Sequence, residues 1–116
     1  MTAAMLKIKP LSVNQAWQGR RFSTKAKKKY EEAVCMMMPT KVDRHDKYKI
    51  YLEFGFSNKR SDWDNPIKPF VDCITKKYGI DDSLIYEATV RKSIVPKGKE
   101  YVYFDLRAFD EVHELR

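Results

Sequence analysis

Residues 47–56, K-Y-K-I-Y-L-E-F-G-F, carry the clearest alternation of polarity in the chain. Tyr48, Ile50, Leu52, Phe54 and Phe56 fall on one side of an extended backbone, with Lys47, Lys49 and Glu53 on the other. A strand of this kind is half-buried, in a sheet covered on one face only. Something apolar must therefore lie over it.

Two helical stripes can supply that cover. Ser23 is a suitable N-cap for a helix over 24–37, in which Ala26, Tyr30, Ala33, Val34 and Met37 recur at three- and four-residue steps. A second helix is predicted over 66–78. Asn65 is suited to cap it, Pro66 to its first helical position, and Gly79 to its C-terminal stop. Its core stripe is Ile67, Phe70, Val71, Ile74 and Tyr78. A short strand is expected over 4–9, ended by Pro10, followed by a loop or irregular hairpin carrying Trp17, Arg20 and Arg21. Residues 84–95 and 100–108 read as strands, and the P-K-G-K between them suggests an antiparallel hairpin. The expected fold is α+β, a single small domain over 1–116 with a mixed or antiparallel sheet and two helices packed on one face.

Charge narrows the function. Twenty-three Lys and Arg against sixteen Asp and Glu give a net charge of +7, which favours a polyanionic partner such as nucleic acid. Residues 1–30 hold eight of the bases and no acid. Cys35 and Cys73 form no C-x-x-C, so neither a zinc site nor a disulfide framework is indicated, and both are expected as buried thiols. No apolar run is long enough for a signal peptide or a membrane span, so a cytoplasmic location without membrane contact is expected. Nucleotide-binding glycine patterns are absent too, and no small-molecule cofactor is expected.

Against this basic background, R-S-D-W-D-N-P-I-K at 60–68 stands out. In extended chain Asp62 and Asp64 share a face with Trp63 opposite, and carboxylate oxygen is what Mg²⁺ or Mn²⁺ takes. The plainer reading is that both acids serve the dipole of the following helix, worth about 0.3–1 kcal/mol each. Asn65 as the cap would leave them free of that task. Asp81 and Asp82 lie beyond the helix, where an ordinary turn with Asp bonding its own backbone explains the pair and a carboxylate reaching back to the first pair is the alternative. Lys68 has two readings, an i,i+4 ion pair with Asp72 or an ammonium for a phosphate.

D-W-D-N-P-I-K, the I-D-D-S-L-I that follows V-D-C-I, and the N-terminal P-L-S-V-N with its basic loop and helix resemble the RusA family of Holliday junction resolvases along nearly the whole chain. The resemblance implies a RusA-like fold and a small homodimeric endonuclease, often phage-encoded. It would depend on Mg²⁺ (Mn²⁺ also suits) and cut branched DNA, specifically four-way junctions, in recombination and repair. It implies Asp62, Asp64 and Asp82 as metal-binding acids and Lys68 as the catalytic lysine, with Asn65 and Asp72 in support. DNA contacts are then expected from Lys7, Lys9, Arg20, Arg21, Lys25, Lys28, Lys29, Lys59 and Arg60. The family often has an Arg/Lys run directly before the first acid, whereas Ser61 stands there in this chain, a departure that bears on DNA affinity or junction selectivity rather than on hydrolysis. Two other readings fit the composition: a non-catalytic basic nucleic-acid-binding module, and an interaction protein using Trp17, Trp63 and Tyr51.

Overall fold

The computed structural model describes residues 2–18 and 22–110. The alternating stretch is β4 (Tyr48–Phe56), and its apolar side is buried as expected. It lies inside a four-stranded mixed sheet of order β1-β6-β4-β5, with β1 at Thr2–Leu6, β5 at Ile85–Ile94 and β6 at Tyr101–Ala108. β6 runs antiparallel to both β1 and β4, whereas β5 runs parallel to β4. The helices α2 (Lys25–Met37) and α3 (Ile67–Tyr78) cover one face, where Tyr30, Val34, Phe70 and Ile74 join Leu52, Phe54, Val102 and Phe104 in one core. The other face is polar and carries the contacts of Glu53 with Tyr51 and Tyr101, and of Arg107 with Asp105. Gly55 is needed there: the Tyr101 ring lies over it, 2.3 Å from where a Cβ would stand.

The strands of 84–95 and 100–108 do not pair as a hairpin. They flank β4 from opposite sides, and Val95 donates its N–H to Phe56 O where the chain passes the end of β4. The P-K-G-K segment reverses the chain without choosing its neighbour. Burial makes that choice. Val102, Phe104 and Leu106 need cover on both flanks, whereas β5, with Glu87, Ala88, Thr89 and Arg91 exposed, tolerates an edge.

Local starts differ in detail. The first strand falls two residues earlier than expected, in register with β6. Among the described residues, 13–18 and 22–23 hold a four-residue helix α1 (Val13–Ala16) and the two-residue strands β2 (Trp17–Gln18) and β3 (Phe22–Ser23), which pair as an irregular hairpin. Thr24, not Ser23, caps α2, accepting from Lys27 N. The buried stripe of α2 is Lys27, Tyr30, Val34 and Met38, with Ala26 and Met37 exposed. A lysine is admitted to it because its ammonium lies 3.2 Å from Glu31, which also takes Lys76 of α3 at 2.7 Å. Cys73 is buried and Cys35 half-buried, both free. No helix among the described residues is long and apolar enough to cross a membrane.

Burial alone would raise the Glu31 carboxyl, but its hydrogen bonds and ion pairs with Lys76 and Lys27 prevail and hold it below its ordinary 4.5. A carboxyl lowered by folding adds stability that is complete above its unfolded value and is lost as pH falls through the folded one. Glu31→Gln is therefore expected to cost about 3 kcal/mol at pH 7, since it removes the carboxylate charge that the Lys27 and Lys76 ammonium groups share. Its urea midpoint should also lose the wild-type dependence on pH below about 4.5. Equal midpoints at pH 7 would show the pair to be idle.

Candidate active site

The acids lie on the crossover that carries the chain from β4 over the sheet to β5. Leaving Phe56, the backbone turns at Asn58, whose side chain accepts from Arg60 N. Lys92 of β5 then ties the segment down, donating to Lys59 O at 2.7 Å and Ser61 O at 2.5 Å. Asp62, Trp63 and Asp64 follow from this fixed point, all exposed. Trp63 is 55% exposed and borders a shallow hollow floored by Ala88, Val90 and Lys92 of β5.

Asn65 does not cap α3. Its amide donates to Asp62 Oδ2 at 3.3 Å, Pro66 takes the capping place without a side-chain bond, and Ile67 N reaches Asp64 O. The side chain is spent on orienting an acid instead of closing a helix. Gly79 does end the helix as expected, left-handed at φ 65° with its N–H on Thr75 O.

Lys68, exposed on the first turn of α3, does more than form an i,i+4 pair. Its ammonium lies 3.0 Å from Asp72 Oδ1 and 3.5 Å from Asp82 Oδ2, joining the helix to the short 3-10 turn (Asp82–Leu84) that opens β5. The hydrogen bond to Asp72, aided by the charge of Asp82 and opposed by partial desolvation, raises the Lys68 pKa, so it stays charged at neutral pH. Asp81 is occupied elsewhere, accepting from Ser83 N at 3.0 Å, which is the Asx-turn role.

Carboxylate oxygens suit a hard divalent ion, and a cation already stands between Asp72 and Asp82 in the form of the Lys68 ammonium. In donor chemistry these residues fit such an ion. The fold brings Lys68, Asp72 and Asp82 together, and separately Asp62 with Asn65. Among the described residues no three of His, Cys, Asp and Glu gather closely enough to hold a metal, the D-R-H-D of 43–46 included.

Lys9, Arg60, Asp62 and Asn65 line one groove beside α3 together with Ser57 and Glu100. Lys7, Lys25, Lys28, Lys29 and Lys59 are exposed, while Arg20 and Arg21 lie outside the described residues. Sequence reading missed Lys92, whose only sign is an amphipathic position on a strand, and Glu100, which approaches the groove because β6 crosses to the far side of β4.

A basic α+β domain with acids displayed along one sheet crossover is of the kind that handles nucleic acid, and comparison with known families makes the class definite: the chain is an endodeoxyribonuclease. The family model of endodeoxyribonuclease RusA matches residues 10–102, most of the chain and every described acid of the site. The chain belongs to that family. No curated protein matches it.

Proposed function

We propose that this protein cuts four-way DNA junctions by metal-assisted phosphodiester hydrolysis, and so serves DNA recombination and repair. The observation that carries this reading is the Lys68 ammonium set between Asp72 and Asp82 within the family-matched region. Asp62, Asp64 and Asp82 are the residues that would hold Mg²⁺ or Mn²⁺, with Asn65 and Asp72 supporting them. When bound, the ion polarises a phosphoryl oxygen and lowers the pKa of a coordinated water.

The remaining work falls to the chain itself. Asn65 restrains Asp62 through its amide. Lys68 offers a permanent positive charge to the phosphoryl oxygens as negative charge grows on them. An arriving phosphate competes with Asp72 and Asp82 for that ammonium, so substrate binding loosens both carboxylates. Lys7, Lys9, Lys25, Lys28, Lys29, Lys59 and Arg60, with Arg20 and Arg21, would track the DNA backbone without reading bases. A two-fold homodimer would match the symmetry of the junction.

Incubating the protein with a labelled four-way junction and with linear duplex, each with and without Mg²⁺, tests the proposal. Cutting of the junction alone, and only with the ion, is expected. Binding without cutting under every condition would favour the non-catalytic module. Binding should also be steeply salt-dependent: contact with roughly 6–10 phosphates predicts a loss of about 10³–10⁵ in affinity between about 50 and 200 mM salt. A flat response in a filter-binding titration would remove the basic surface from that role.

A further inference from the structure

The two helices stop short of covering β5. Ala88, Val90 and Lys92 stand opposite Ile50, Leu52 and Phe54 of β4, so all six point to the helix-bearing face. The three β4 residues are buried, yet Ala88 is exposed, and Val90 and Lys92 are only half-buried. Trp63 of the crossover lies beside them, bordering a shallow hollow of about 470 Å³. The chain bends at Trp63 and Asp64, which frees the indole from the strict alternation that an extended D-W-D would impose. Tyr86, the other strongly exposed ring, is already occupied: it packs on Phe109 and carries the Lys47 ammonium. Among the described residues no ring packs on Trp63. An indole 55% exposed between two carboxylates thus presents an unused π-face.

We propose that Trp63 is a stacking platform for an unpaired nucleobase at a DNA branch, and that the hollow over β5 seats that nucleotide beside the phosphate to be cut. The inference rests on the nuclease reading only for placing that phosphate at Asp62 and Asp64. Consecutive Cα atoms are about 3.8 Å apart, so a nucleotide whose phosphate lies at either acid has its base within reach of the indole. The chemistry of the hollow selects this occupant. Its floor of Ala88 and Val90 is short-chained and apolar, as a planar ring requires. Lys92 stands at its end, bound to two carbonyls that do not cancel its charge, and Lys59 and Arg60 are exposed on the segment it holds. Such cations draw a sugar–phosphate backbone toward an aromatic platform. The two carboxylates would repel a bare phosphate in the hollow but not the face of a neutral base. Ala88 and Val90 offer too little apolar surface for a stable protein interface. In linear duplex both faces of a base are already stacked and freeing one is costly, whereas a branch supplies a base with a face to spare. Stacking tolerates any sequence, so Trp63 favours branched over linear DNA without reading bases.

The test is read without Mg²⁺, so that no cutting intervenes. A four-way junction carrying 2-aminopurine at the branch should lose emission when the wild-type chain binds, because the probe stacks on the indole. A linear duplex with the probe at its centre should keep its emission. Trp63→Ala should leave the junction probe unquenched and bind the junction about tenfold more weakly in a gel shift, with duplex affinity within about twofold of wild type. Trp63→Phe keeps a ring and should return junction affinity to within about threefold. That rescue, beside an unchanged duplex affinity, excludes a folding defect as the cause. Equal losses on junction and duplex, a Trp63→Ala chain that still quenches the probe, or a wild-type chain that never does, would overturn the stacking site and leave cutting to be read separately with the ion. A chain that quenches the branch probe through Trp63 yet never cuts once Mg²⁺ is added would keep the stacking site and remove the nuclease reading.

Discussion

Asp82→Asn is expected to cut a four-way junction at least about 10²–10³-fold more slowly than the wild-type chain while still binding it. The substitution keeps the shape of the side chain and removes its charge. Its side chain is 53% exposed, so the fold gives up little. Lys68 retains Asp72 as its nearer partner, so the ammonium stays in place and the loss falls on the acid. Asp62→Asn and Asp64→Asn should behave alike, because hydrolysis on this reading needs carboxylates from both ends of the crossover. The neighbouring Asp81→Asn is the informative control. That carboxylate is committed to Ser83 N, and its loss should spare the rate. Single-turnover cleavage beside gel-shift affinity separates the outcomes. Wild-type rates in all three site variants would sink the assignment, and an equal loss in Asp81→Asn would show that the turn matters rather than the acid.

Phe70→Ala should remove about 3–5 kcal/mol of stability. Phe70 is fully buried and stands where α3 meets the sheet, edge-on to Phe54 at 6.4 Å and tilted against Phe104 at 5.6 Å between ring centres. Truncation leaves a hollow that two strands and a helix cannot close together, so both the transfer and the cavity contributions are lost. The consequence extends to the site, because Lys68 and Asp72 flank Phe70 on α3 while Asp82 belongs to the next segment. A looser α3 should therefore lower the cleavage rate even where the protein remains folded. Urea unfolding at constant slope measures the first effect, and cleavage below the unfolding transition measures the second. A loss under about 1.5 kcal/mol would mean that the interface repacks.

How much of this was legible depends on the range over which each signal acts. The alternation in 47–56 and the stripe from Phe70 to Tyr78 are local patterns, and β4 and α3 keep them. The phase of α2 was misread because Lys27 counts as polar, although its aliphatic stem packs inside once Glu31 meets its charge. Strand adjacency is not local: a turn motif reports reversal, while the partner of β6 was settled by burial across the whole sheet. The acids were legible as residue types. Their grouping was not, since Asn65 turned to Asp62 and Lys68 came between Asp72 and Asp82, contacts that exist only after the crossover forms.

The place of β6 between β1 and β4 also governs how the chain can be made. A nascent chain holding everything up to residue 100 would have β1 with no strand to pair with, and β4 with one flank open. Only when residues 101–108 clear the ribosome can the first strand be captured by the last. The sheet is thus completed by insertion at its centre, with contacts spanning nearly the full sequence, which slows closure and leaves two apolar strands waiting during translation.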